Sequence, residues 1–249
     1  MKKQLNKWLH ADVAILLSAA VLLAVFAVTE LYPKINAEAV PGALWARCLL
    51  LVLICVISYL GAWLYRQRTG DDRLSGILPT AYFILYLYLI LSLTLMDETL
   101  RLDVSKLEQA GMTKREYYLR WFVNFRPFYS IWTVYIQGYA NGYVGMRYVL
   151  LNLLGNLCAF MPFAFFLPRL WRPQRRWYVF LPTVVLIVAA VEGGQFLLMV
   201  GSCDVDDLIL NAGGAFLLYW FLKIPPLERL CDALWSGDFT MLKKKRAGG

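Results

Sequence analysis

Six stretches of the chain are apolar for long enough to cross a hydrocarbon layer, which takes roughly 20 residues of helix. They run over about 11–31, 44–65, 77–96, 149–168, 177–200 and 208–223. Residues 11–29 hold one charge, Asp12, and residues 48–65, 77–96 and 177–191 hold none. Open sheets cannot satisfy their backbone groups in lipid, so these runs predict helices. The predicted fold is all-α: a polytopic membrane helical bundle of about six transmembrane helices. A short amphipathic helix is expected in the long segment between the third and fourth spans.

In that segment Thr113 followed by Glu116 fits a capping box, and Gly111 suits the end of a preceding helix. Tyr117, Tyr118, Trp121, Phe122 and Phe125 then gather as an amphipathic surface helix requires. YIQGYANGYVG reads as a loop with an Asn-Gly turn at Asn141 and Gly142. Four regions follow: three N-terminal spans over 1–100, an outer segment over 101–148, a three-span core over 149–223 and a basic tail over 224–249.

Composition agrees with the pattern. The chain is 60% hydrophobic and 17% charged, with a mean hydropathy of +0.54. Charge then sets orientation, because short cytoplasmic loops collect Lys and Arg. With both termini inside, 16 of the 25 basic residues fall on the cytoplasmic face. They are Lys2, Lys3 and Lys7; Arg66, Arg68 and Arg73; Arg169, Arg172, Arg175 and Arg176; and the run from Lys223 to Arg246. The short outer loops hold only Lys34 and Arg47. The net charge of +8 therefore points to anionic lipid headgroups and not to nucleic acid. The first apolar run reads as a retained anchor, since ELYPKINAEAVPG after it is a weak cleavage site.

Cys48, Cys55 and Cys158 lie in apolar runs, Cys203 and Cys231 stand alone, and His10 is the one histidine. Nothing has zinc spacing or Cys/His catalytic spacing, so no cofactor is expected.

Polar residues inside spans are costly and carry the candidate chemistry. Asn152 and Asn156 share a face of the fourth span, Glu192 and Gln195 a face of the fifth, Asp207 and Asn211 the start of the sixth. Glu192 falls about 21 Å along its helix, toward the outer end. Gly155, Gly193, Gly194, Gly213 and Gly214 accompany the pairs and permit close helix approach. The expectation is one outward polar cleft, with Arg126 of NFRPF as candidate counter-ion to Glu192. The same residues could serve only to lock three helices together. Asp204 or Asp206 would cap the last span. The Asp204–Asp207 loop could also take a divalent cation through its carboxylates.

NFRPF at 124–128, NLLGNLCAFMPFAFFLP at 152–168, EGGQ at 192–195 and DVDDLILNAGG at 204–214 occur in this order. Together, over roughly residues 124–220, they resemble the VanZ-like family. The matching polar and proline positions are Asn124, Pro127, Asn152, Asn156, Pro162, Glu192, Gln195, Asp204, Asp207 and Asn211. Ala164 departs from the glycine usual there. The resemblance implies a multi-pass protein of the bacterial cell membrane. The family's founding member is associated with resistance to teicoplanin, a lipid-bearing glycopeptide. It supplies no catalytic residues to carry over.

Two functions are expected on this footing. One is a non-enzymatic or weakly enzymatic envelope protein meeting membrane lipids and a lipid-linked cell-wall precursor or lipoglycopeptide. The other is an intramembrane enzyme on a lipid headgroup or lipid-linked sugar, with Glu192 as catalytic acid or base and Asp204 and Asp207 orienting the substrate.

Overall fold

The computed structural model describes residues 11–35, 44–96 and 111–239. Lys2, Lys3, Lys7, His10 and the Lys243–Arg246 run lie outside them. Six helices among the described residues are long and apolar enough to span a membrane: Asp12–Thr29, Ala46–Thr69, Arg73–Met96, Met146–Leu170, Trp177–Leu198 and Val205–Leu222. Their outward side chains are apolar: Leu186 is 70% and Leu217 63% exposed, tolerable only where the surrounding solvent is lipid-like.

The chain forms two compact units, Met1–Leu85 with Ala233–Gly249, and Tyr86–Asp232. In the first, α1 (Ala11–Ile35) packs along α2 (Leu44–Thr69). A Cβ at Gly61 would meet the Leu16 side chain at 2.9 Å, so that side chain seats directly on the α2 backbone because Gly61 has no side chain of its own. The charge in this apolar pair is neutralised: Arg68 reaches the buried Asp12 at 2.8 Å. Ser58 shares a 2.8 Å hydrogen bond with Tyr82 of α3 (Arg73–Leu91), and the Arg66 guanidinium donates to the Ser236 carbonyl at 2.8 Å.

The second unit carries the candidate site. Its elements are α4 (Lys114–Trp121), a π-helical turn α5 (Ile131–Gln137) running into Gly138–Ala140, α6 (Met146–Ala159), α7 (Phe163–Leu170), α8 (Trp177–Leu198), α9 (Val205–Leu222) and the start of α10 (Pro225–Ser236), whose last turn belongs to the first unit. Two-residue strands β1 (Val123–Asn124) and β2 (Cys203–Asp204) pair in parallel. The capping box at Thr113 and Glu116 forms, with both reciprocal hydrogen bonds present. Residues 135–140 differ from the expected loop: they are helical, and the turn is confined to the Asn141–Gly142 region, where Gly142 has φ +75°. The predicted fourth span is interrupted after Ala159 and restarts at Phe163, because Pro162 has no N–H to continue the first helix.

Helix α9 is the central post, packed by α6, α7 and α8. Phe180 of α8 stacks on its Tyr219 with centroids 4.5 Å apart. Phe160, Phe163, Ala164, Leu167, Val184, Val188 and Ala215 complete the core. The tightest approach is at Gly214, where a Cβ would collide with the Leu157 carbonyl of α6. Gly213 beside it has open space. Gly214→Ala should therefore destabilise the protein by about 1–3 kcal/mol, as overpacking does. Gly213→Ala should be neutral or slightly stabilising, both read as melting temperature in one detergent.

Candidate functional site

Helix α8 ends at Met199, whose φ of 50° is left-handed, and Gly201 at φ 60° completes the reversal. The chain can then run back as β2 and start α9. Asp204 occupies the N-cap of α9 in extended conformation, its carboxylate accepting from the Asp206 N–H at 2.9 Å. A carboxylate is favoured there by the unpaired amides and the helix dipole. The same side chain reaches into the NFRPF segment. Asn124 Nδ2 donates to its Oδ1 at 2.9 Å, and Ser130 Oγ donates to its Oδ2. Below it Glu192 Oε2 accepts from the Asp204 N–H at 3.1 Å.

Asp206 is fully buried and turns to the same segment by a different route. Its Oδ1 accepts from the Phe128 N–H and its Oδ2 from the Ile131 N–H at 3.0 Å. It thereby caps α5, a helix about 75 residues earlier in the chain. Phe128 sits at φ +61°, a conformation that costs a non-glycine residue about 1 kcal/mol or more. The Asp206 carboxylate and the Asn124 side chain, whose Oδ1 accepts from the Arg126 N–H at 2.9 Å, hold the turn in place.

The remaining expected residues divide. Asn156 donates to Asp207 Oδ1, joining α6 to α9. Asn152 does not join them; its amide donates to the Tyr148 carbonyl one turn back in its own helix. Gln195 is buried but faces elsewhere, donating to the Thr94 carbonyl at 3.1 Å. Its own carbonyl accepts from the Tyr118 hydroxyl at 3.2 Å, tying α4 to α8. Asn211 is buried, and its Oδ1 has no hydrogen-bond partner among the described residues. Arg126 is exposed and makes no ion pair among the described residues, so it is not placed as counter-ion to Glu192. Ser130 was not anticipated, and Asp206 was expected only as an alternative cap of α9, a place that Asp204 takes. The signal for Asp206 was its place beside a cap, and a side chain capping a distant helix has no local spacing to betray it.

Burial, with the negative charge nearby adding to it, raises the neighbouring weak acids outside the spans. Burial pushes the Tyr118 phenol up to about 12, with Cys203 and Glu192 adding to the effect. Burial and the Asp207 carboxylate raise Tyr135, and burial and Glu192 raise the Cys203 thiol. All three are neutral near pH 7, so each can donate a hydrogen bond and none is a nucleophile. Every oxygen of Asp204 and Asp206 meets a protein donor. Among the described residues no three His, Cys, Asp or Glu side chains stand together in a way that would hold a metal.

Beside the hub lies an open groove of about 310 Å³, lined by Phe125, Ala189, Glu192, Gly193, Phe196, Cys203, Asp204, Val205 and Leu208. Most of this lining is hydrocarbon, and Glu192 and Asp204 are its acidic members.

The VanZ/LLP1 family profile matches residues 83–225, more than half of the chain. This chain belongs to the VanZ/LLP1 family. No curated protein and no solved structure matches it. The family match starts at Phe83 in α3, so it reaches further toward the N-terminus than the motifs from Asn124 onward suggested. Thr94, which receives Gln195, thus lies inside the VanZ/LLP1 region. Within that region Asn124, Glu192 and Asp204 form one connected set and Asn156 with Asp207 another on the same helix end.

Removing the Asp206 carboxylate would orphan two backbone N–H groups and release the Phe128 turn. Asp206→Ala should lower stability on the order of 3 kcal/mol, since hydrogen bonds to charged groups contribute about 1.5–3 kcal/mol each. Limited proteolysis in the 124–131 segment, together with the melting temperature, checks it.

Proposed function

We propose that this VanZ/LLP1 membrane protein binds the lipid-bearing part of an envelope amphiphile, a lipid-linked cell-wall precursor or a lipoglycopeptide, in an outward-facing groove. The observation that carries this reading is the groove itself, a mostly hydrocarbon lining that includes Glu192 and Asp204. Ligand sites combine a largely apolar lining with a few placed polar groups, and about 300 Å³ is the lower end of their size range. The sidedness is supported by charge. Arg169 stands at the end of the fourth span and Arg172, Arg175 and Arg176 follow before the fifth, at the end of α8 opposite Glu192. The aromatic surface of Trp121, Phe125, Phe128 and Trp132, all more than half exposed, suits the headgroup region.

Expression in a susceptible host should raise the inhibitory concentration of teicoplanin severalfold and leave that of vancomycin little changed. Unchanged teicoplanin tolerance, with membrane insertion confirmed, would remove the lipoglycopeptide part of the proposal.

A second reading, an intramembrane enzyme on a lipid headgroup or lipid-linked sugar, is favoured by one observation. Glu192 lines the groove, and its Oε1 has no hydrogen-bond partner among the described residues. In that role it would move a proton on the bound headgroup while Asp204 and Asp207 orient it. Glu192→Gln keeps the shape and an acceptor oxygen but cannot transfer a proton. Full tolerance in this variant rejects the enzyme reading; loss of tolerance in a stably inserted Glu192→Gln supports it.

A further inference from the structure

Where α7 leads into α8 and α9 into α10, at the end of α8 opposite Glu192, the second unit holds a cavity of about 20 Å³. Its charged lining is Arg169, Arg175, Lys223, Glu228 and Asp232. Both carboxylates already have cations. Arg169 Nη2 lies 3.2 Å from Asp232, and Lys223 Nζ donates to Glu228 at 3.0 Å. Arg169 is a fixed wall: its side chain is 7% exposed, its Nη1 donates to the Phe165 carbonyl and its guanidinium lies over the Phe165 ring. Arg175 is the cation left over. Its Nε donates to the Pro168 carbonyl at 3.2 Å, and its Nη1 and Nη2 meet no acceptor among the described residues. The lining therefore carries one surplus positive charge, on a guanidinium with two outer nitrogens open to a ligand.

Neighbouring elements hold that guanidinium in place. Arg175 ends the 3₁₀ turn Arg172–Arg175, and its carbonyl accepts from the Tyr219 hydroxyl of α9. Gln174 beside it donates to Thr183 of α8 at 2.9 Å. Arg172 and Arg176 are exposed and make no ion pair among the described residues. Trp171, Trp177, Tyr178 and Trp220 at the same helix ends are each about half exposed, as aromatic side chains at a membrane–water interface are. One surplus charge matches a singly charged oxyanion, and a guanidinium fork suits two oxygens of one phosphate. A cavity of this size admits a single oxygen, so the rest of the phosphate stays at the mouth. The interfacial aromatics and the apolar lining of Ala164, Pro168 and Leu222 favour a lipid over a soluble phosphate. Arg172 and Arg176 disfavour a headgroup that carries its own cation.

We propose that this pocket binds the phosphodiester of an anionic phospholipid, with Arg175 as the fork that receives it. Basic pockets between membrane helices hold anionic headgroups in this way. The pocket shares no residue with the groove beside Glu192, so the two proposals stand or fall separately.

The test offers the full-length protein, purified in detergent, equal amounts of dioleoyl phosphatidylglycerol and dioleoyl phosphatidylcholine, and counts bound lipid by native mass spectrometry. Phosphatidylglycerol should be preferred by about fivefold or more, the size of effect one basic residue has on an anionic lipid. Arg175→Gln removes the surplus charge and should abolish most of that preference. Arg175→Lys keeps the charge without the fork and should fall between the two. Arg115→Gln, at an exposed arginine outside the pocket, should leave the preference unchanged. Inorganic phosphate at millimolar concentration should not displace the lipid. No preference in the unsubstituted protein overturns the site, as does a preference that survives in folded Arg175→Gln or that Arg115→Gln lowers equally. Should Arg175→Gln fail to fold, unaltered preference in Arg175→Lys overturns the fork. Displacement by inorganic phosphate overturns the lipid and leaves a free-phosphate site.

Discussion

The structure of the second unit depends on two aspartates that must not be left alone in an apolar environment. Asp204 and Asp206 stand at the first turn of α9, where the chain passes from a polar turn into a hydrophobic span. A buried carboxylate without donors costs several kcal/mol or more. Both find donors on one segment, residues 124–131, which lies 74 to 80 residues earlier in sequence. Closing so long a loop has an entropic cost that grows only slowly with length, and several charge-assisted hydrogen bonds offset it. The NFRPF turn, the short parallel ladder and the position of α5 all follow from this satisfaction of charge.

Packing then fixes where the hub stands relative to the other helices. Gly214 lets α6 approach α9 until the Leu157 carbonyl fills the space a side chain would need. That approach brings Asn156 to Asp207. The left-handed residues Met199 and Gly201 turn α8 back so that Glu192 lies under the Asp204 amide. The groove is what the same turn leaves between α8, β2, the start of α9 and Phe125.

Much of the fold was legible in the chain. Six apolar runs became six helices of spanning length, and the Thr113–Glu116 box became an N-cap with both of its bonds. The site was legible to the extent that its contacts are periodic. Asp207 and Asn156 lie on faces that the i, i+4 spacing identified, and they meet. Asn152 shares that spacing, yet its amide turns to the backbone of its own helix, a choice that rotamer and neighbours decide and spacing does not. Gln195 binds Thr94, a partner about a hundred residues away with no sequence signature. Asp206 was hidden for the same reason. It was as good a candidate as Asp204 to cap α9, and nothing local showed that it would cap a different helix instead. The helical form of residues 135–140 was masked by glycine and tyrosine content that suits a loop, and was set by the Asp206 cap upstream.

Membership of the VanZ/LLP1 family places these residues in a membrane protein, and the groove beside Glu192 gives the proposed function its physical basis. That groove exists only if the 124–131 segment is pinned to the start of α9. A double-mutant cycle on Asn124→Ala and Asp204→Ala, with unfolding free energies measured in one detergent, tests the pinning. The account predicts that the two substitutions are strongly non-additive, with a coupling of about 1–3 kcal/mol as for contacting charge-assisted pairs. Additivity to within about 0.5 kcal/mol, the behaviour of distant sites, would contradict it.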